Sequence, residues 1–124
     1  MKIFGELKQV IIHVKDMQLM VEFYRDILQF SISYPLTDDF TDQNWVSFNS
    51  GNCSLCLHSG LDSNKTYNSN IRLTFEVEDI NIASNYLIEN KIEVSEIRSP
   101  APNKLVCDFK DIENNNISIE YFGN

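Results

Sequence analysis

The chain has 124 residues, of which 43% are apolar, and its formal net charge at pH 7 is −8. This length and composition predict one globular domain with a buried core. We expect no nucleic-acid partner, because phosphate binding needs clustered Lys and Arg and the 10 basic residues are scattered among 18 acidic ones.

The sequence shows no pattern of a signal peptide, a membrane span or a disulfide framework. Residues 1–10 lack the apolar core of a signal peptide, and no apolar run approaches the roughly 18–20 residues that span a bilayer. We therefore expect a cytoplasmic protein with no membrane partner. The cysteines are three in number, and alternation puts Cys53 and Cys56 on opposite faces of a strand, so no disulfide framework is expected.

The first predicted elements are a strand and a helix joined by one aspartate. Residues 7–14 alternate and are rich in β-branched side chains, which predicts a strand. Asp16 is a candidate N-cap, and apolar residues then recur at three- and four-residue steps, as on one face of a helix. These residues are Met17, Met20, Val21, Tyr24, Ile27 and Leu28.

Three further strands complete the first half of the chain. They are predicted at residues 29–35, 44–49 and 53–58, giving a module of about residues 1–59. The polar, turn-rich residues that follow predict a linker at about residues 60–69.

The second half repeats the first about 63 residues later. A strand from residue 71 leads to Asp79 as a cap, and Ile80, Ala83, Tyr86 and Leu87 then follow a helical face. Three strands are predicted after it, at residues 92–97, 104–110 and 116–122. The chain is thus predicted to be α+β, with two βαβββ modules, the second at about residues 70–124. Asn49–Asn52 and Glu113–Asn116 fall at equivalent places and predict tight turns.

One face of each sheet is expected to carry the function. In the first strand Val10, Ile12 and Val14 suit the helix side, so their neighbours face the other way. The same alternation in the other strands predicts an opposite face that carries Gln9, Ile11, His13, Ser54, Cys56, His58, Arg72, Thr74, Glu76, Ser118, Glu120 and Phe122. This set is too polar for a core and indicates a wet or ligand-lined concavity.

The pattern VxDxxxxxxFYxxxLxF, together with the later segments FEVED and ISIEYF, resembles the vicinal-oxygen-chelate superfamily. Its matching residues are Val14, Asp16, Phe23, Tyr24, Leu28 and Phe30. This superfamily takes in glyoxalase I, bleomycin-resistance proteins and extradiol dioxygenases. The resemblance implies a cupped mixed sheet made of paired βαβββ modules, with helices on the outside, often completed in a homodimer.

The resemblance also implies where a metal would be held. Metal enzymes of the family use one side chain from the first and last strand of each module, which by position are Gln9, Cys56, Arg72 and Glu120. Arg72 stays protonated and Cys56 is a soft ligand, so we expect no metal cofactor at these places. Arg72 and Glu120 are expected to form an ion pair instead. The alternative is one divalent metal ion.

Other side chains allow more than one interpretation. His13 and His58, with Glu76, are candidates for a displaced metal or acid–base site, or are ordinary half-exposed strand histidines. Cys56 is either a buried apolar group or, if Arg72 lowers its pKa, a reactive thiolate.

The aromatic strand residues and one acidic loop complete the candidate set. Trp45, Phe48, Phe122 and Tyr34 are candidate pocket walls or core residues, and Trp45 and Phe122 are assigned to the ligand site. The acidic run at residues 37–42 predicts a solvated loop, or a flap over the cup.

Two functions follow from these observations. The first is a metal-independent protein that binds a small, cationic or aromatic molecule, as a homodimer. Its predicted ligand contacts are Gln9, His13, Trp45, Cys56, His58, Arg72, Glu76, Glu120 and Phe122. The alternative is a metal-dependent lyase, isomerase or dioxygenase, with His13, His58 and Glu120 as catalytic candidates.

Overall fold

The computed structural model describes residues 2–123. It contains two compact units, which divide between Thr66 and Tyr67. Each unit has one helical segment and a four-stranded mixed sheet in the order βαβββ, which confirms the predicted α+β class.

The first unit contains β1 (Gln9–Val14), α1 (Met17–Glu22), β2 (Ile32–Tyr34), β3 (Trp45–Phe48) and β4 (Ser54–Ser59). Its sheet has the order β1-β4-β3-β2, with β1 parallel to β4 and the other pairs antiparallel. The parallel pairing of the first and last strands requires a long crossover connection, and the helical segment begins that crossover.

The predicted helix of the first unit is confirmed in position and differs in form. Asp16 caps it, since the Leu19 N–H donates to the Asp16 carboxylate over 3.0 Å. After α1, residues Phe23–Ile27 form a π-helical turn, a wider winding that periodicity at three and four residues does not predict. The apolar face is buried as expected, including Met20, Val21 and Tyr24.

The second unit contains β5 (Arg72–Glu76), α2 (Ile80–Glu89), β6 (Arg98–Ala101), β7 (Lys104–Lys110) and β8 (Asn116–Phe122). Its sheet has the order β5-β8-β7-β6, the same topology as the first. Asp79 caps α2 by accepting hydrogen bonds from the backbone N–H groups of Asn81 and Ile82, at 2.9 and 3.1 Å.

The strand predicted at residues 92–97 lies too early in the chain. In that stretch the Asp108 N–H donates to the Ser95 hydroxyl over 2.8 Å, so a side chain takes the place of a backbone carbonyl. Regular pairing begins only at Arg98, opposite Val106, and is itself irregular before Ala101. The local break in pairing moves β6 to residues 98–101.

The loop between β2 and β3, residues 35–44, is held against the helix of the first unit. The Phe40 side chain is fully buried, and its backbone N–H donates to the Gln18 side-chain oxygen over 2.7 Å. The Arg25 guanidinium lies 6.0 Å from the centre of the Phe40 ring. Asp38, Asp39 and Asp42 are exposed, as expected for a solvated loop. This anchor on the helix is a correction to the alternative of a free flap over the opposite face.

The two predicted tight turns are confirmed. Gly51 has φ +97° and Asn114 has φ +67°, the left-handed backbone that Gly and Asn tolerate best. The Asp111 carboxylate accepts from the backbone N–H groups of Glu113 and Asn115, each over 2.9 Å, and holds the second turn.

No helix in residues 2–123 is long and apolar enough to span a membrane.

Candidate functional site

The first strand of each unit alternates as predicted between a helix-facing side and an open face, whereas Cys56 on β4 and Ser118 on β8 are buried. In β1, Val14 is buried whereas Gln9, Ile11 and His13 are exposed. In β5, Leu73 and Phe75 are half-buried, and Arg72, Thr74 and Glu76 are exposed. The open face of each sheet therefore carries the candidate side chains.

Two histidines and the single tryptophan meet on the open face of the first unit. His13 lies opposite His58 in the parallel pairing of β1 and β4, and their ring centres are 5.1 Å apart. Trp45 lies opposite His58 in the antiparallel pairing of β3 and β4, with ring centres 6.1 Å apart and an edge-on arrangement. We call these three residues the aromatic cluster.

One ring nitrogen of the aromatic cluster has a backbone partner. His58 Nδ1 lies 2.6 Å from the carbonyl oxygen of Ser59, and a proton on Nδ1 makes it the donor of this hydrogen bond. In the neutral imidazole the other nitrogen, Nε2, is then an acceptor. The cluster thus combines aromatic rings with ring nitrogens that can form hydrogen bonds.

Cys56 is buried beside Gln9 on the same sheet. Its side chain is 1% exposed, and its Sγ lies 3.7 Å from the Gln9 amide oxygen. Burial raises the pKa of the Cys56 thiol, and the neighbouring Cys53 adds to the effect. The thiol form therefore prevails at neutral pH, as in the interpretation of Cys56 as a small buried group.

A charged cluster crosses the open face of the second unit. Asp108 on β7 is contacted by Arg98 at 2.8 Å and by Arg72 at 4.0 Å. The Ser118 hydroxyl, opposite Asp108 in the β7–β8 pairing, donates to the same carboxylate over 2.6 Å. We call these four residues the Asp108 cluster; each of the four strands of the sheet contributes one of them.

The surroundings of Asp108 keep it ionised. Partial burial raises the pKa of this carboxyl, but the hydrogen bonds from Ser118 and Arg98 and the charges of Arg98 and Arg72 lower it more. The net result is a pKa below the usual range for aspartate.

The expected ion pair between Arg72 and Glu120 is wrong. Arg72 has Asp108 as its charged neighbour, and Glu120 pairs with Lys104 over 2.9 Å. The strand register gives the reason. Arg72 lies opposite Asn116, four residues before Glu120 on a parallel strand, which is a separation of roughly 13 Å along the sheet.

The register also corrects the equivalence between the two modules. Gln9 lies opposite Ser54 as Arg72 lies opposite Asn116, so the counterpart of Cys56, two residues further on, is Ser118. Glu120 is instead the counterpart of His58. Because the Gln9 amide oxygen contacts Cys56, the places that the resemblance implies for a metal become Gln9 and Cys56 in the first unit and Arg72 and Ser118 in the second.

In neither unit do the two residues at these places fit a divalent cation. None of them carries a carboxylate or an imidazole, and in the second unit Arg72 carries a permanent positive charge. Ser118 already donates its proton to Asp108. Among residues 2–123, no three His, Cys, Asp or Glu side chains are grouped as ligands of a metal would be.

The remaining predicted residues lie on the open face of the second unit. Glu76 and Glu120 are opposite each other in the β5–β8 pairing, and Phe122, at the end of β8, is 67% exposed. Sequence reasoning missed Arg98, Lys104 and Asp108. Alternation in residues 104–110 put Lys104 and Asp108 on the open face, and this signal was available.

The fold and its open faces define an α+β protein of the glyoxalase-like class. A sequence profile described as the Glyoxalase/Bleomycin resistance protein/Dioxygenase superfamily matches residues 6–119. The chain belongs to this superfamily. A search among curated proteins finds no sequence match.

Several solved structures share the fold. TnmS3, an antibiotic binding protein from a Streptomyces species, is 16% identical with a TM-score of 0.78, over 99% of this chain and 100% of that one. The fosfomycin resistance protein FosX from Listeria monocytogenes is 15% identical, TM-score 0.76, over 98% and 96%. Lactoylglutathione lyase from Agrobacterium tumefaciens is 16% identical, TM-score 0.74, over 97% and 96%.

Proposed function

We propose that this protein binds a small molecule on its open sheet faces without using a metal ion. The observation that carries the proposal is the identity of the four family metal positions, Gln9, Cys56, Arg72 and Ser118. In the first unit these places carry an amide and a buried thiol, and in the second a guanidinium and a hydroxyl whose hydrogen bond is already made.

The aromatic cluster supports a ligand with a flat ring. Trp45 and His58 present an edge-on pair of rings, and His13 extends the same surface. An aromatic ring stacked here gains about 0.5–1.5 kcal/mol beyond the area it buries. Two proteins of the same fold, the antibiotic binding protein TnmS3 and the fosfomycin resistance protein FosX, support a binding or protective role.

Trp45 is the only tryptophan of the chain, so intrinsic fluorescence reports directly on the proposed site. The test is a screen of aromatic compounds by tryptophan fluorescence, repeated with a chelator present. A saturable change that is the same with and without chelator supports the proposal. A screen in which binding appears only with added metal contradicts it.

A pair of variants separates the aromatic cluster from the rest of the surface. Trp45→Leu should weaken a ligand found in the screen by about two- to tenfold, as expected for one lost aromatic contact. Tyr67→Leu is the matched control, since Tyr67 is 45% exposed and belongs to the other unit. Affinity is measured by calorimetry, because Trp45→Leu removes the fluorescent reporter.

We also propose that the protein is a cytoplasmic homodimer. Ile3, Phe4 and Leu7 near the N-terminus are each more than 70% exposed, which favours a further contact for this segment. Light scattering on the purified protein measures the mass; a monomer at micromolar concentration would contradict the dimer.

A further inference from the structure

The Arg72 guanidinium has N–H donors that no acceptor within residues 2–123 uses. Its side chain is 54% exposed, and the Asp108 oxygen at 4.0 Å is too far away for a hydrogen bond. Within residues 2–123 no hydrogen bond joins its guanidinium to a protein acceptor. Arginine carries five N–H donors in a planar fork, which matches two oxygens of a carboxylate or phosphate.

Asp108 does not neutralise Arg72, because its carboxylate is already engaged. One oxygen accepts from the Ser118 hydroxyl at 2.6 Å, and the other contacts Arg98 at 2.8 Å. The Asp108 cluster contains two guanidinium groups and one carboxylate, and so has a net charge of +1. The excess charge lies with the looser and more exposed partner, Arg72.

The opposite end of the same face has the opposite sign. Glu76 and Glu120 lie side by side there, with Lys104 paired to Glu120. An anionic group on this face is therefore directed toward Arg72 and away from the two glutamates.

We propose that Arg72 binds an oxyanion group of the ligand, a carboxylate or a phosphate or phosphonate, with Arg98 and Asp108 holding the site. This inference rests on the proposed binding function and names the chemistry of the ligand. A guanidinium lies at a place that the resemblance assigns to a metal ligand, and it offers the ligand oxygens hydrogen bonds in place of coordination. The net negative charge of the chain favours a cationic ligand, whereas the local charge at Arg72 favours an anionic one.

The test is a titration of the protein with small probes, followed by NMR of the arginine side-chain Nε–H groups. The probes are acetate, inorganic phosphate and methylphosphonate, with tetramethylammonium as the cationic comparison and constant ionic strength. We expect a saturable shift of the Arg72 signal with at least one anion, in the millimolar range, and none with tetramethylammonium. Acetate and phosphate distinguish a carboxylate site from a phosphate or phosphonate site.

Variants of opposite expected sign make the test sharper. Arg72→Gln, followed by the Arg98 Nε–H signal because the Arg72 signal is then absent, should weaken anion binding about tenfold or more, as for a lost charge-assisted hydrogen bond. Asp108→Asn should tighten it several-fold, since it leaves two guanidinium groups uncompensated. Arg25→Gln is the control with the same charge change, because Arg25 pairs with Asp26 in the first unit. Equal effects of Arg72→Gln and Arg25→Gln would overturn the proposal.

Failure of this inference is distinguishable from failure of the proposed function. If compounds bind and change Trp45 fluorescence but no anion shifts Arg72, the protein binds small molecules and Arg72 is not an anion site. If anions shift Arg72 only when a divalent metal is present, the metal-independent function fails as well.

Discussion

Truncation of Phe40 should strongly destabilise the first unit, although this residue lies in a loop. It lies in the ten-residue connection between β2 and β3, residues 35–44, and its side chain is 0% exposed. Burying an aromatic side chain removes about 150–250 Å² from water, which at about 25 cal/mol per Å² stabilises by ~4–6 kcal/mol. Alanine keeps the β-carbon, so Phe40→Ala should lower the free energy of unfolding by about 3–5 kcal/mol.

Chemical denaturation of Phe40→Ala measures this directly. The control is Leu36→Ala in the same loop, because Leu36 is 89% exposed and should change the stability by less than about 0.5 kcal/mol. The hydrogen bond from the Phe40 N–H to Gln18 involves the backbone and survives the substitution. Equal, small effects of the two variants would refute the anchoring of the loop on the first helix.

Three further predictions concern the N-cap of α2, the reactivity of the Cys56 thiol and the loss of stability at low pH. Asp79→Ala should lower the free energy of unfolding by about 0.5–2 kcal/mol, because the cap of α2 is lost. Glu78→Ala is the control and should not lower it. Equal losses of the two variants in chemical denaturation would contradict the capping role. In the native protein Cys56 should react with an alkylating reagent more slowly than Cys53, because Cys56 is buried and its pKa is raised. Mass spectrometry measures the order of reaction, and the reverse order would indicate an activated thiolate at Cys56. The lowered pKa of Asp108 gives stability that is complete above its unfolded value of about 4 and is lost as pH falls through the folded value. Asp108→Asn should therefore flatten the stability profile below about pH 4, and an unchanged acid profile would contradict the role of this carboxylate.

Periodicity predicted the faces of the strands because alternation is a property of the backbone alone. Val14 and His13 point to opposite faces of β1 whatever packs around them, and the aspartate caps likewise depend on neighbours within three residues. The repeat of one βαβββ module could be read from two such local patterns. These parts of the account needed no knowledge of tertiary contacts.

Strand register was beyond the reach of the same reasoning. Ser118 and Glu120 are two residues apart and share one face, so alternation treats them alike, and only the pairing of β5 with β8 shows which lies where. Arg98 was missed because the β6 pairing starts late, after Ser95 has satisfied a backbone N–H of β7. The partners of Arg72 and Glu120 follow from these registers: alternation places Asp108 and Lys104 on the open face but does not say which charge each one meets.

Whether the protein works without a metal ion is decided by the metal content of the purified, untagged protein, measured by mass spectrometry, and then by its thermal stability with nickel, zinc and manganese. We expect no stoichiometric metal and no large stabilisation by any of the three ions, since neither Gln9 with Cys56 nor Arg72 with Ser118 offers a carboxylate or an imidazole to a cation. One equivalent of bound metal, or a large rise in Tm with one ion, would contradict it. The next step would then be a lyase or dioxygenase assay with His13 and His58 substituted in turn.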